Sequence, residues 1–223
     1  MEHKSSFKMS KMWQKIKMND LTVKKIKSSI GKDFIKKHHY SGGCHNGPMT
    51  WGLFQDEELV GVIAFATPCS ENVRCSVFGP EFKDNVTELH RLVLLDEIPK
   101  NSESYFIRKG LKLLKEEKPH IYAVLSFADS TEKHTGIIYQ ATSAYYTGMS
   151  NKAMFYKDQD GRLRHPRQNG KNILKKDAEK LGWVPVKREG KHRYLFILEK
   201  KKKRETLLKK LKLEIQEYPK VKA

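Results

Sequence analysis

Apolar residues fall in short runs separated by polar or glycine-bearing breaks, and their spacing predicts alternating strands and helices. Thr50-Trp51-Gly52-Leu53-Phe54 and the run Leu59 to Phe65 flank four polar residues, Gln55-Asp56-Glu57-Glu58, which is the pattern of a β-hairpin. Val73 to Phe78, closed by Gly79-Pro80, predicts a third short strand. Residues 86–95 alternate in their first half, with Val86, Glu88, His90 and Leu92 on one face and Thr87, Leu89, Arg91 and Val93 on the other. A helix over 104–117 follows, with Ser102 or Ser104 as its cap and Ile107, Leu111 and Leu114 on its apolar stripe. Ile121 to Phe127 is almost wholly apolar and predicts a strand buried on both faces. The stretch after Gly136 (IIYQATSAYY) reads as a shorter helix ending at Gly148. A right-handed crossover through helix 104–117 would link strands 86–95 and 121–127.

The flanks carry weaker signals. Leu21, Val23, Ile26 and Ile30 suggest a strand running into a helix. Residues 32–40 predict a helix that buries Phe34 and Ile35 and stops at Ser41-Gly42-Gly43. Downstream the pattern predicts a strand from Met154, a turn over 158–161, a helix over 172–181 and a strand over 192–198. In the last segment Leu207, Leu208, Leu211 and Ile215 share one side of a helix and lysines the other. The expected class is α/β (α+β): a mixed central sheet with flanking helices. A basic segment 1–33 and a basic amphipathic tail 200–223 would extend a core of 34–199.

Charge changes this picture. The net charge is +18, but residues 41–151 sum to −4, whereas 1–40, 152–193 and 200–223 sum to +8, +8 and +7. A near-neutral middle enclosed by cationic segments points to a polyanion, because phosphate neutralisation releases counterions and gives affinity without reading sequence. Three cysteines, Cys44, Cys69 and Cys75, form no CxxC pair, which excludes a disulfide framework or a four-cysteine zinc site. No apolar run reaches the roughly 20 residues of a membrane span, and the lysine-rich start has no apolar stretch behind it, so the cytoplasm is the expected compartment.

Three polar clusters stand where strand or helix ends meet loops. The first is His38-His39-Tyr40-Ser41 with Cys44 and His45. The second is Glu88, His90 and Arg91 inside an otherwise apolar strand, where burial would oblige each to find a partner. The third is Ser126, Asp129 and His134 after the central strand, followed by Tyr139 and Gln140. Asp129 has two readings: a helix cap, or a reactive group held at the carboxyl end of a buried strand. The histidines with Cys44 could take a metal, although their spacing matches no zinc pattern.

These residues lie in blocks that resemble the phage Mom DNA-modification proteins, within a strand and helix order similar to the GNAT acyltransferase core. The blocks are HHYSGG (38–43), LVGVIAFATP (59–68), TELHRLVLLDEIPKNSES (87–104), SFADSTEKHTGIIYQATSAYYTG (126–148), KHRYLFIL (191–198) and EYPK (217–220). The resemblance implies a transferase that hypermodifies adenine N6 in double-stranded phage DNA with a carbamoylmethyl, acetamido-type group. The modification would protect the genome from host restriction, and the adenine would be flipped out of the helix. It places Asp129, His39, Glu88, His134, Ser126 and Tyr40 in catalytic positions, with Asp129 or Glu88 accepting the amine proton. Arg91, Lys100, Ser102, Ser104 and Arg108 would hold the donor. His38, Tyr139, Gln140, Tyr145, Arg164, Lys191 and Arg193 would contact substrate and DNA. The Gly-rich pyrophosphate loop of ordinary GNAT enzymes is absent: residues 95–104 contain no glycine and three carboxylates. This leaves the donor an acyl or aminoacyl compound, with acetyl-CoA lacking its usual cradle. Iron has been suggested for the family, and His38, His39 and His45 are its candidate ligands here. The competing readings are a GNAT enzyme acting on a protein or tRNA amine, and a basic DNA-binding protein without catalysis.

Overall fold

The computed structural model describes residues 20–40, 42–44, 47–68, 70–168 and 171–220. In chain order the elements are β1 (Leu21–Ile26), α1 (Ser28–His38), β2 (Met49–Gln55), β3 (Glu58–Ala66), α2 (Glu71–Phe78), β4 (Val86–Leu94), α3 (Ser102–Glu117) and β5 (Ala123–Ala128). Next come α4 (Ile137–Gln140), β6 (Tyr145–Met149), β7 (Ala153–Lys157), β8 (Leu163–Arg164), β9 (Arg167–Gln168) and β10 (Lys171–Asn172). The chain closes with α5 (Lys175–Lys180), β11 (Val184–Arg188), β12 (His192–Ile197) and α6 (Lys201–Lys210). The α/β class expected from the pattern is the class observed.

Two compact units share the chain: Met1–Cys69 with Thr87–Ile121, and Ser70–Val86 with Tyr122–Ala223. In the first unit β1, β2, β3 and β4 pair antiparallel in sequence order. The β2–β3 hairpin is tighter than its four polar residues suggest. Gln55 pairs with Glu58, leaving only Asp56 and Glu57 in the turn, both at positive φ (45° and 71°). Two residues with φ > 0 match the right-handed strand twist, so the ladder runs on into polar positions. Phe34 and Ile35 of α1 are buried against Val62, Ala64 and Val93, as their spacing predicts. Helix α3 comes so close to β3 that a Cβ on Gly110 would sit 2.8 Å from the Ile63 side chain.

In the second unit β12 pairs antiparallel with both β5 and β6. Directly paired residues share a face, so one side of this sheet carries Leu125, Leu195, Ala123 and Ile197. That side forms a core with Val77, Phe78, Val86 and Leu207. The other side carries Ser126, Tyr194 and Tyr146, and the candidate site is built there. β11, β7 and β8 form a separate small sheet.

Four expectations are corrected. Residues 73–78 are helical, because Val73 and Val77, four apart, fall on one helical face against the core. A six-residue apolar run fits either period, and burial decides. The helix after Gly136 stops at Gln140, Ser143 takes φ 61°, and Tyr145–Met149 is strand β6. Neither serine caps α3. Asn101 precedes the helix in a left-handed conformation, while Ser102 and Ser104 donate backwards to the carbonyls of Pro99 (2.7 Å) and Asn101 (3.0 Å). The tail helix ends at Lys210. Leu211 and Leu213 pack on the core from extended chain with period two, and Ile215 is exposed.

Candidate functional site

Strand β5 is buried along its length, and its carboxyl end delivers Asp129, which is only 6% exposed. A buried carboxylate needs partners, and Asp129 has them from two directions. Thr131 donates its backbone N–H (3.1 Å) and, in a short contact, its hydroxyl. Arg188, the last residue of β11, donates Nη2 to both carboxylate oxygens (3.2 and 3.1 Å) and to Thr131 Oγ1 (2.6 Å). Lys191 Nζ lies 3.5 Å away. Burial pushes the carboxyl pKa up, but the Thr131 hydrogen bonds and the Lys191 and Arg188 charges outweigh it and hold the group below its ordinary value. Asp129 therefore caps the short 3-10 turn Ser130–Glu132 and also holds Arg188 and Lys191 beside it. Ser130 Oγ ties this turn to the carbonyl of Gly190 at 2.6 Å, which fixes the β11–β12 connection beside it.

Next to this network lies a stack of tyrosines. Tyr194 is fully buried; its ring lies 5.2 Å from that of Tyr139 and 5.3 Å from that of Tyr146. Its hydroxyl donates to the Thr135 carbonyl (2.5 Å) and accepts from Gln140 Nε2 (3.0 Å), and burial pushes the phenol up to about 12. Gly136 makes room for it. At φ +77° a Cβ would meet the Tyr194 ring at 2.4 Å, so this position requires glycine on both counts. Tyr146 Oη lies 3.0 Å from His192 Nδ1. Burial lowers the His192 pKa and raises that of Tyr146, so at neutral pH the pair is an uncharged imidazole and an uncharged phenol joined by one hydrogen bond.

His192 gives the site a pH signature. Its folded pKa lies below the ordinary 6.5, so the unfolded chain binds the proton first as pH falls. The folded state therefore loses stability as pH drops below about 6.5, levelling once the folded group also titrates. His192→Gln should flatten this part of a melting-temperature profile, and an unchanged slope in the variant would assign it to other groups.

The structure gathers some expected residues and separates others. Ser126, Tyr139 and Gln140 lie around Tyr194, and Lys191 lies beside Asp129. Tyr145 pairs with Leu195 and Arg193 with Phe127, so both occupy the opposite sheet face; Arg193 is held by Thr147 (3.0 and 2.8 Å). His134 is exposed just after the turn, and Arg164 is paired with Asp158 at 2.7 Å.

The remaining candidates are in the first unit. His38 packs on Phe34, and His39 stacks on the exposed Tyr40 with ring centroids 4.3 Å apart. Glu88 and His90 do share a side, 3.4 Å apart. His90 is an extra residue in the β3–β4 ladder: Ala64 pairs with Arg91 and Phe65 with Leu89. Such a bulge re-aims the side chains on either side of it. Arg91 donates to the carbonyls of Gly43 (2.8 Å) and His90 (2.7 Å), pinning the loop after α1. Lys100 and Arg108 are exposed around the start of α3, where Ser102 is buried.

His45 and residues 1–19 lie outside the described residues. Among the described residues no group of three or more His, Cys, Asp or Glu side chains is placed to hold a metal. No helix among them is long and apolar enough to cross a membrane.

Arg188, Thr131, Tyr146, His192 and Tyr194 were not singled out from sequence. The signal that could have found His192 and Tyr194 was the polar pair of strand residues inside KHRYLFIL; for Arg188 no local signal exists.

A family model described as the Mom protein family matches residues 20–220. The methylcarbamoylase mom of Escherichia phage Mu is 28% identical over 209 residues, covering 90% of this chain and 84% of the relative. Among solved structures, the ribosomal-protein-S18-alanine N-acetyltransferase of Escherichia coli is similar with a TM-score of 0.46 and 7% identity, covering 81% of this chain and 96% of that one. The spermidine/spermine N-acetyltransferase SpeG of Vibrio cholerae gives 0.46 and 8%, covering 81% and 94%.

Proposed function

Because the chain belongs to the Mom protein family, we propose that it is the transferase that modifies adenine in phage DNA, adding a carbamoylmethyl, acetamido-type group to the exocyclic N6 and so shielding the DNA from host restriction. The observation that carries this reading is the likeness to the phage Mu methylcarbamoylase across 90% of the chain. The cationic segments around a near-neutral middle support a DNA substrate.

The chemistry sets the demands on the site. The N6 lone pair is delocalised into the purine ring, so the amine is a weak nucleophile, and holding it against an activated donor supplies much of the rate. As the new bond to N6 forms, the donor carbon's bond to its leaving group breaks, and a proton must leave the nitrogen for a base. Asp129 is held ionised and already receives hydrogen bonds from Thr131 and Arg188. That favours a positioning role, in which it fixes Arg188 and Lys191 for an anionic group of donor or DNA. His192 is the better proton acceptor in this unit, since burial keeps its imidazole neutral and Tyr146 fixes its ring. An acyl or aminoacyl donor would have to present a CH2 carbon bearing the leaving group to N6, because attack at its carbonyl would leave an amide instead of a carbamoylmethyl group. The adenine leaves the base stack to react, since a duplex hides N6 from a pocket at strand ends.

The test is the nucleoside content of DNA from cells expressing the protein. Deoxyadenosine should gain mass and deoxycytidine should not. Unmodified deoxyadenosine alongside soluble, folded protein would remove the DNA reading and turn attention to a protein or tRNA amine.

A further inference from the structure

Building on the DNA-directed reading above, we propose that one face of the small β11–β7–β8 sheet is a platform for a locally opened DNA strand, with bases against its exposed apolar side chains and phosphates on the lysine between them. The register defines that face. Val184 pairs with Lys157, Val186 with Phe155 and Arg188 with Ala153, while Lys157 also pairs with Leu163. Directly paired residues project to the same side, so Phe155, Val186, Leu163 and Val184 share one face with Lys157 and Arg188. On the opposite face Tyr156 is buried, its ring 6.2 Å from that of Trp183, while Met154 is 49% exposed.

Large apolar side chains on this face stand out into solvent. Val184 is 61% exposed and Leu163 50% exposed. Lys157 stands between them in the ladder, and Phe155, paired with Val186, is half-buried, with the Arg188 guanidinium over its ring at 5.3 Å and the His165 ring edge-on at 5.2 Å. Apolar and aromatic groups bordered by cations form the composition that binds unpaired nucleic acid, because bases stack on the former and phosphates meet the latter. The charge agrees: residues 152–193 carry +8 while 41–151 carry −4. A paired duplex would gain little from the apolar side chains, since its base faces are already stacked. A strand freed when a base leaves the helix has faces to offer. The same Arg188 that borders Phe155 also holds Asp129, so a strand seated here lies next to the proposed reaction site.

Fluorescence anisotropy with the full chain tests this, using one single-stranded oligonucleotide and the matching duplex. Leu163→Ser with Val184→Ser removes apolar surface and no charge, and both side chains are exposed, so the fold should survive; an unchanged melting temperature verifies it. Affinity for the single strand should fall about tenfold or more, with the slope of log affinity against log salt unchanged. Lys157→Gln should instead flatten that slope by about 0.7 or less. Wild-type affinity in the double variant would overturn the platform. So would a double variant that converts a dimer to a monomer without changing DNA affinity, which would give this face to a second copy of the chain. A wild-type chain that binds neither oligonucleotide would sink the DNA reading itself, a failure visible before any variant is made.

Discussion

Asp129→Ala is expected to abolish adenine modification and to lower the melting temperature by several degrees. A mere cap would cost about 1 kcal/mol. Here the carboxylate also neutralises Arg188, whose side chain is 17% exposed, and removing one member of a buried pair leaves the other charge uncompensated. The general figure for that is about 3–5 kcal/mol. Lys191 is 47% exposed and screened, so the lower end applies. For a domain of this size about 3 kcal/mol corresponds to a shift of roughly 6–12 °C.

Asp129→Asn separates the roles. Its amide oxygen keeps the Thr131 contact and the shape, while the charge that fixes Arg188 is gone. Modified deoxyadenosine should fall by about 100-fold, the usual effect of misplacing a positioned group by an ångström, with a smaller change in melting temperature. If the asparagine variant modifies DNA within twofold of wild type, the carboxylate only caps the turn. The wild-type stabilisation should be present above the ordinary carboxyl pKa of 3.8 and be lost as pH falls through the lower folded value.

Cutting the chain after Glu199 is expected to yield insoluble or non-cooperatively folding protein. Leu207 is 3% exposed in the core with Val77, Phe78 and Leu195, and Leu208, Leu211 and Leu213 pack around it. Beyond α6 the chain continues as an extended strap. Lys212 N–H bonds to the Val77 carbonyl and Gln216 N–H to that of Tyr146, both at 2.9 Å, and Tyr218 Oη donates to the Ala144 carbonyl at 2.8 Å. Burying one leucine contributes about 1.5–3 kcal/mol. Losing one buried and three half-buried leucines is comparable to the 5–15 kcal/mol by which a typical domain is stable. A stop after Lys210 keeps Leu207 and should fold with a reduced melting temperature. A cooperative, wild-type-like melt of the chain ending at Glu199 would show that the core does not need α6. The charge of this helix is better probed in the folded protein: Lys201, Lys202 and Lys209, all exposed, changed together to Gln should flatten the salt slope of DNA binding by up to about 2.7.

The sequence was most readable where one period dominated. Residues 121–127 announced a buried strand and Asp129 at its end, and the stripe of Ile107 and Leu114 announced α3. Legibility failed where runs were short: Val73 and Val77 suit a strand as well as a helix, and only the core they bury against decides. Tyr145 and Tyr146 read as the end of a helix because nothing local says that they must pair with β12. The partner of Asp129 was out of reach for the same reason. Arg188 stands 59 residues downstream in a segment that looked like one basic stretch among three. The resemblance named blocks of sequence, but what each side chain holds depends on register, and register is a property of paired strands.

That long separation bears on how the protein is made. β12 is the strand that pairs with both β5 and β6 in the second unit, yet it is synthesised after both of them. At about 5–20 residues per second, some 3–12 s pass between translation of Asp129 and translation of Arg188. Until then the carboxylate waits without its guanidinium, and β6 without its neighbour. Non-local pairing of this kind slows folding, since loop closure precedes any contact energy. The nascent second unit is thus exposed to misassembly until its last strand emerges, and the Asp129–Arg188 network is among the last parts of that unit to form.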